Sequence, residues 1–280
     1  MMFQKLLSLL NRSAQPFQVL SDIHLEVNQQ YLSFEFPVCS EHLILAGDIG
    51  RLTDYENYLQ FIQKQTDRFK LVFLALGNHD FYNDTYEAGL ERARRLELEP
   101  CLNGRLVLLH QRRFDVPNTN CTILGCTLWS RIPNDSKDMV LLKIQDFQKI
   151  QGWSVDSHNS YHESDLVWLM SEIDSVQRDN ETQNKKQSIL VVTHHAPSLE
   201  GTSSPQHTKN PWTCAFATDI LSKIPRPIAV KAWVFGHTHY TTEFKNKGIR
   251  VVANQRGYVL PGLESKGSKN GFDAGKVIHA

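Results

Sequence analysis

The stretch Leu43-Ile44-Leu45-Ala46-Gly47-Asp48-Ile49-Gly50 reads as a buried strand that stops at a glycine and delivers a carboxylate at once. Taken alone, Gly-Asp after a strand is a common turn. Its weight comes from recurrence: four other apolar runs in this chain also end in polar groups able to bind a metal ion. Asp48 stands at the centre of them.

Upstream, Phe17-Gln18-Val19-Leu20-Ser21 is read as the first strand, running into Asp22-Ile23-His24. Side chains two apart on a strand share a face, so Asp22 and His24 are expected to point the same way. Downstream, Thr53-Asp54-Tyr55 opens a helix with Tyr55, Leu59 and Ile62 on its apolar face. Leu71 to Leu76 is the third strand, ending in Gly77-Asn78-His79-Asp80, and a second helix over 84–98 stops at Pro100. Strand and helix alternate here, which argues a largely parallel sheet covered on both faces.

Further strands are expected near 105–111 and 120–129. The segment 131–163, with Asp146-Phe147, Trp153 and His158, reads either as a rim over a site or as a surface excursion with its own small core. Leu166, Leu169, Met170, Ile173 and Val176 mark an amphipathic helix, and Asp179 to Gln187 a solvated linker. Ile189 to Thr193 is a strand ending in His194-His195-Ala196-Pro197. The Ser/Thr/Pro-rich loop 198–215 is expected to face segment 131–163, and a short helix near 216–224 to follow it. Ala232 to Phe235 is a strand ending in Gly236-His237-Thr238-His239. Ile249 to Asn254 is another, followed by Gln255-Arg256-Gly257-Tyr258, with a last edge strand near Lys276-Val277-Ile278.

The strand ends thus collect Asp22, His24, Asp48, Asn78, His79, His194, His195, His237 and His239. In open α/β sheets the functional crevice lies beyond the carboxyl ends of the strands. Glycine precedes the polar residue at Gly47, Gly77 and Gly236, where it lets the chain turn and a ligand approach. Carboxylate, imidazole and amide oxygen without thiolate suit a borderline divalent ion such as Mn, Fe or Zn. The set exceeds one tetrahedral site. It suits two ions sharing a carboxylate, about 3.5–4 Å apart as in two-metal hydrolases, with Asp48 as the natural bridge.

The order D-x-H, G-D, G-N-H-D, H-H-x-P, G-H-x-H over residues 22–239 resembles the calcineurin-like metallophosphoesterase superfamily. The resemblance implies a single-domain α/β fold, a four-layer α/β/β/α sandwich over 16–280 after an N-terminal extension, 1–15. It implies that Asp22, His24 and His239 hold one metal, that Asn78, His194 and His237 hold the other, and that Asp48 bridges. His79 is then the catalytic histidine and not a ligand. His194 rather than His195 matches the ligand position, a choice that strand phase alone leaves open. The text after the bridge is Ile49-Gly50-Arg51-Leu52-Thr53, without the Asp-Arg pair of the Ser/Thr protein phosphatases, and the layout is closer to the small phosphodiesterase-like branches. Two divalent ions, two aspartates and a bridging hydroxide leave a site charge of about +1, a trap for anions. His195, His207 and Arg256 are candidate substrate contacts, Arg256 toward a phosphate or in a structural ion pair.

Composition bounds the rest. With 280 residues, 41% of them hydrophobic, the chain suits one large domain or two small ones. Lys plus Arg and Asp plus Glu balance at 30 each, so no general field draws in nucleic acid or an acidic membrane. Five cysteines without a zinc or redox spacing read as free thiols in a reducing compartment. No apolar stretch reaches membrane-spanning length. Residues 1–14 read as a frayed extension or a surface helix in a cytoplasmic protein; basic and without acids, they also fit a mitochondrial transit peptide.

The expectation is a metal-dependent hydrolase of a small-molecule phosphomonoester or phosphodiester, in which a metal-bound hydroxide attacks phosphorus and His79 serves the leaving oxygen. The rival is an inactive binding protein on the same fold, which should have lost ligands that this chain retains. A nuclease would show a basic groove in its composition. Substrate, metal identity and oligomeric state are not legible.

Overall fold

A computed structural model describes residues 14–207, 210–224, 229–260 and 270–280. Its strands are β1 (Pro16–Leu20), β2 (His42–Ala46), β3 (Leu71–Ala75), β4 (Leu106–Leu108), β5 (Arg112–Asp115), β6 (Cys121–Cys126), β7 (Ser188–Thr193), β8 (Val230–Phe235), β9 (Thr242–Asn246), β10 (Ile249–Ala253) and β11 (Val277–His279). The helices are α1 (Tyr55–Thr66), α2 (Tyr86–Glu97), α3 (Lys137–Lys143), α4 (Asp146–Lys149) and α5 (Val155–Thr182). Two sheets form, in the orders β11-β1-β2-β3-β4 and β5-β6-β7-β8-β10-β9. Strands β1 to β4 run parallel, as do β6, β7, β8 and β10, and the antiparallel pairings fall at the edges, with β11, β5 and β9.

Side-chain alternation builds the layers. Val19, Ile44, Phe73 and Ala75 of one sheet pack with Ile123, Leu190, Val192 and Val234 of the other. The opposite face of the first sheet, with Leu45 and Leu74, meets Tyr58, Phe61 and Ile62 of α1 and Leu90 and Leu96 of α2. That of the second, with Val191 and Trp233, meets Leu169, Ile173 and Val176 of α5. The result is the α/β/β/α sandwich, and strands covered on both faces are apolar throughout. Cys121 belongs to the inter-sheet core and Cys126 to the helix-facing one, as their odd separation requires. All five cysteines are free.

Several elements differ from expectation. α5 begins at Val155, within the unassigned segment, because Ser154 and Ser157 form a capping box there; it ends at Thr182, inside the expected linker. The rest of 131–163 carries α3 and α4. No helix forms over 216–224: the amides of Thr218 and Ile220 donate to Ala196 and Pro197, so this backbone serves the loop after β7 instead of its own turns. Strands β5 and β9 were not expected, since both are short, polar edges. α1 turns Tyr58, Phe61 and Ile62 inward, leaving Tyr55 and Leu59 only partly buried. The expected extension, 1–15, lies outside the described residues except for Ala14 and Gln15, and Gln15 already pairs with Ala280. Among the described residues no helix is long and apolar enough to cross a membrane.

His158, on the first turns of α5, is fully buried, its ring centre 5.1 Å from that of Trp129. Burial pushes its pKa from 6.5 down to about 3. The unfolded chain therefore takes up a proton that the folded chain refuses, and the stability present above pH 6.5 is lost as pH falls toward about 3. The slope is about 1.4 kcal/mol per pH unit. Urea unfolding of His158→Phe, compared with wild type across that window, should show a shallower loss by about 2 kcal/mol between pH 6.5 and 5. Parallel curves would remove His158 as the cause.

Candidate metal centre

The parallel strands bring their carboxyl ends to one edge. Asp22 and His24 follow β1, Asp48 follows β2, Asn78 and His79 follow β3, His194 and His195 follow β7, and His237 and His239 follow β8. The expected strand alternation is not what aligns Asp22 with His24, or His237 with His239, since β1 and β8 have already ended. Left-handed backbone does this instead, with φ of 51° at Asp22, 48° at His24, 53° at Asp48, 72° at His237 and 50° at His239. Each such non-glycine residue costs about 1–3 kcal/mol, and strain of this kind persists where surrounding structure holds it. Here the holding bonds run between loops: the amides of Asp22 and His24 donate to the carbonyls of Gly47 and Asp48, each at 3.0 Å, and that of Gly236 to His194 at 2.9 Å.

Two glycines are required by proximity. A Cβ at Gly77 would strike Asp48 Oδ1 and come within 2.7 Å of the His194 ring. At Gly236 it would strike Ser21 Oγ and lie 2.6 Å from Asp22 Oδ2.

The side chains form three overlapping groups: His24, Glu26 and His79 make one, and the other two share Asp48. Asp22, His24, Asp48 and His239 offer ligand atoms within 4.8 Å of one another, and so do Asp48, His194 and His237. His24 Nε2 lies 2.9 Å from His239 Nε2 and 3.8 Å from Asp48 Oδ2. On the other side His194 Nε2 lies 3.4 Å from Asp48 Oδ1 and 3.0 Å from Asn78 Oδ1. The remaining polar atoms are engaged outward. His194 Nδ1 donates to Ala46 O at 3.0 Å, His24 Nδ1 meets Glu26 at 3.1 Å, and His237 Nε2 faces Ala215 O at 3.3 Å. Asn78 Nδ2 donates to Asp146 at 2.7 Å, which turns its Oδ1 inward. Outer partners that leave one lone pair free are how metal-binding imidazoles are held.

The electrostatics fit a cation too. Burial raises Asp22 to about 6, whereas His194 holds Asp48 well below the carboxylate range against the same burial. Asp48 in turn lifts His194 to about 9 despite its burial. Burial and His24 push His239 down to about 3, leaving its ring neutral. Facing nitrogens and buried carboxylates that compete for protons are a donor set that divalent ions would satisfy.

Several contributors were not singled out in the sequence. Glu26 Oε1 touches both His24 and His79. Asp80 accepts from the amides of Asp48 at 3.1 Å and Gly77 at 2.7 Å, tying β2's end to β3's. Asp146, from the segment that resisted reading, orients Asn78. Tyr258 places its hydroxyl 3.0 Å from His79 Nε2. For Glu26 the available signal was its place two residues after D-x-H, and for Asp80 its place at the end of G-N-H-D.

A cavity of about 440 Å³ opens over Asp48, Asn78, His79, His237 and His239. Segment 131–163 contributes Lys143 to Asp146, and loop 198–215 contributes His207 and Trp212. His207 therefore faces the cavity. His195 does not line it: fully buried, its ring packs 4.1 Å from that of His237 and 5.3 Å from that of Trp129. Arg256 lies elsewhere, donating to Ile23 O at 3.0 Å and Gln30 Oε1 at 2.7 Å, with its guanidinium 4.4 Å over Phe34. Those bonds tie it to the loop after β1.

Two packed sheets with shared carboxylate and imidazole groups at their strand ends fit the metal-dependent phosphoester hydrolases. The chain belongs to the calcineurin-like phosphoesterase family, whose model matches residues 16–241. Uncharacterized protein L509 of Acanthamoeba polyphaga mimivirus is 25% identical over 265 residues, covering 85% of this chain and 90% of that one. Among solved structures, phosphopantetheinyl hydrolase of Mycobacterium tuberculosis shares the fold with a TM-score of 0.62 at 16% identity, over 88% of this chain and 90% of that one. A dimetal phosphatase from Danio rerio gives a TM-score of 0.50 at 14% identity, over 86% and 87%.

Proposed function

We propose that this protein hydrolyses a small-molecule phosphomonoester or phosphodiester at two divalent transition-metal ions (Mn, Fe or Zn). Asp22, His24 and His239 hold one, Asn78, His194 and His237 the other, and Asp48 bridges. The carrying observation is that Asp48 joins the group of Asp22, His24 and His239 to that of His194 and His237. When bound, the ions supply Lewis-acid charge for the phosphoryl oxygens and activate water as the nucleophile. His79 then donates a proton to the leaving oxygen. Its Nε2 edge faces the cavity, beside Tyr258. Tyr82, Ile144, Trp212 and Phe216 give that cavity apolar walls for the organic part of the substrate, while Lys143 and His207 give it polar ones. A cavity of this volume suits a small molecule, and the balanced charge supplies no field for nucleic acid.

Elemental analysis of protein purified without chelator, or reconstituted, should reach about two equivalents per chain, the count of a two-metal site. Chelation should abolish hydrolysis of both mono- and diester substrates, and one of the three metals should restore it. Saturation at one equivalent would sink the bridged pair.

A further inference from the structure

The acid beside His79 is Glu26, from the turn after β1, 53 residues away in sequence. Its Oε1 lies 2.9 Å from His79 Nδ1 and 3.1 Å from His24 Nδ1, and the side chain is 8% exposed. Its Oε2 is buried and has no hydrogen-bond partner. A carboxylate buried this way is costly unless its bonds are used, and both lead into the site.

The surroundings of His79 show what those bonds decide. Its ring stacks on Tyr82 with centres 4.1 Å apart and meets the edge of His24 at 4.5 Å. Such packing sets the plane of an imidazole but barely distinguishes its nitrogens, because a flipped ring has nearly the same shape. Tyr258, at Nε2, can donate or accept, so it accommodates either tautomer. An ionised carboxylate only accepts. Glu26 alone among these neighbours keeps a proton on Nδ1 in both the doubly protonated and the neutral ring, so a proton given to the leaving oxygen departs from Nε2 and the Nδ1–H tautomer is left behind.

We infer that Glu26 is a positioning residue for His79, holding Nδ1–H so that Nε2 meets the leaving-group side of the cavity. The inference rests on the reading of His79 as the group that serves the leaving oxygen. It is tested in Glu26→Gln, which keeps the acceptor oxygen, and Glu26→Ala, which removes it. Long-range 15N–1H correlation on metal-free protein at alkaline pH, where the ring carries one proton, reads the His79 tautomer. Wild type should show Nδ1–H and Glu26→Ala a mixture with Nε2–H, while Glu26→Gln, whose amide can accept or donate, should fall between them. At saturating metal, Glu26→Ala should lose about 10–100-fold in kcat on an alkyl phosphate, the usual worth of an outer-shell partner. With both ions bound KM should stay unchanged, metal affinity at His24 should fall because Glu26 also holds its Nδ1, and Glu26→Gln should recover part of the loss in kcat. An unchanged His79 tautomer in Glu26→Ala overturns the proposal. So does loss of a metal equivalent that saturating metal fails to restore, since Glu26 would then act through the metal site, as a ligand or by way of His24. The tautomer readout needs no turnover, so an inactive wild type would sink the hydrolase reading and leave the positioning result standing. Glu26→Gln, nearly isosteric, gives a folded comparison should the alanine variant fail to fold.

Discussion

Replacing Asp48 by asparagine should leave the fold standing and weaken both metal positions at once, by more than about a hundredfold. That exceeds the 10–100-fold lost with outer-shell partners because the residue itself would be a ligand. Asparagine tolerates the left-handed φ of 53° as well as aspartate does. It also keeps an oxygen for the 2.9 Å bond from the His79 amide. What disappears is the charge and the second oxygen, the one that lies 3.8 Å from His24. Both clusters contain this carboxylate, so both should empty together, and hydrolysis with them. His24→Ala, in contrast, should reduce one equivalent preferentially. Elemental analysis beside a thermal unfolding curve checks this. One equivalent retained at wild-type affinity in Asp48→Asn would show that the carboxylate is not shared.

His79→Ala should keep both metals and lose about 10²–10⁴ in kcat, the usual worth of general acid catalysis. Structure explains why metal should survive: His79 touches Asp48 through its backbone amide, which alanine retains. The imidazole points instead to Glu26 and Tyr258. Glu26 loses one of two partners, at a cost of about 1–3 kcal/mol in stability. The kinetic loss should depend on the leaving group. An alkoxide needs a proton, whereas p-nitrophenolate hardly does, so the variant should be far worse on an alkyl ester than on the nitrophenyl ester. Equal defects on both would mean that His79 acts through charge at the phosphoryl oxygens or by placement.

Much of this site was legible because its carriers are short-range. An apolar run such as Leu43 to Ala46 announces a covered strand, and a parallel sheet must bring the ends of such strands to one edge. Hence Asp22, His24, Asp48, Asn78, His194, His237 and His239 could be collected before any coordinates. The sandwich followed from the resemblance carried by those same residues. The alignment of Asp22 with His24 was anticipated for the wrong reason: left-handed loop residues, braced by neighbouring loops, do what strand pleat was expected to do. The edge strands β5 and β9 escaped notice because, though each pairs with the next strand, neither carries an apolar run; the helix expected near 216–224 gives way because its amides go to Ala196 and Pro197.

Chain sequence by itself therefore determined which residue types stand at the strand ends, and with them the class of chemistry. Only the tertiary structure decided which atom of each faces inward. Asn78 presents its oxygen because its amide donates to Asp146, 68 residues on, and to the Tyr82 hydroxyl. His194 presents Nε2 because Ala46, 148 residues back, holds Nδ1. Arg256, which a phosphate could have claimed, is engaged by Ile23 and Gln30. Spacing along a chain encodes which side chains share a local face; a proton's place on a ring depends on partners that meet only when the whole fold has closed.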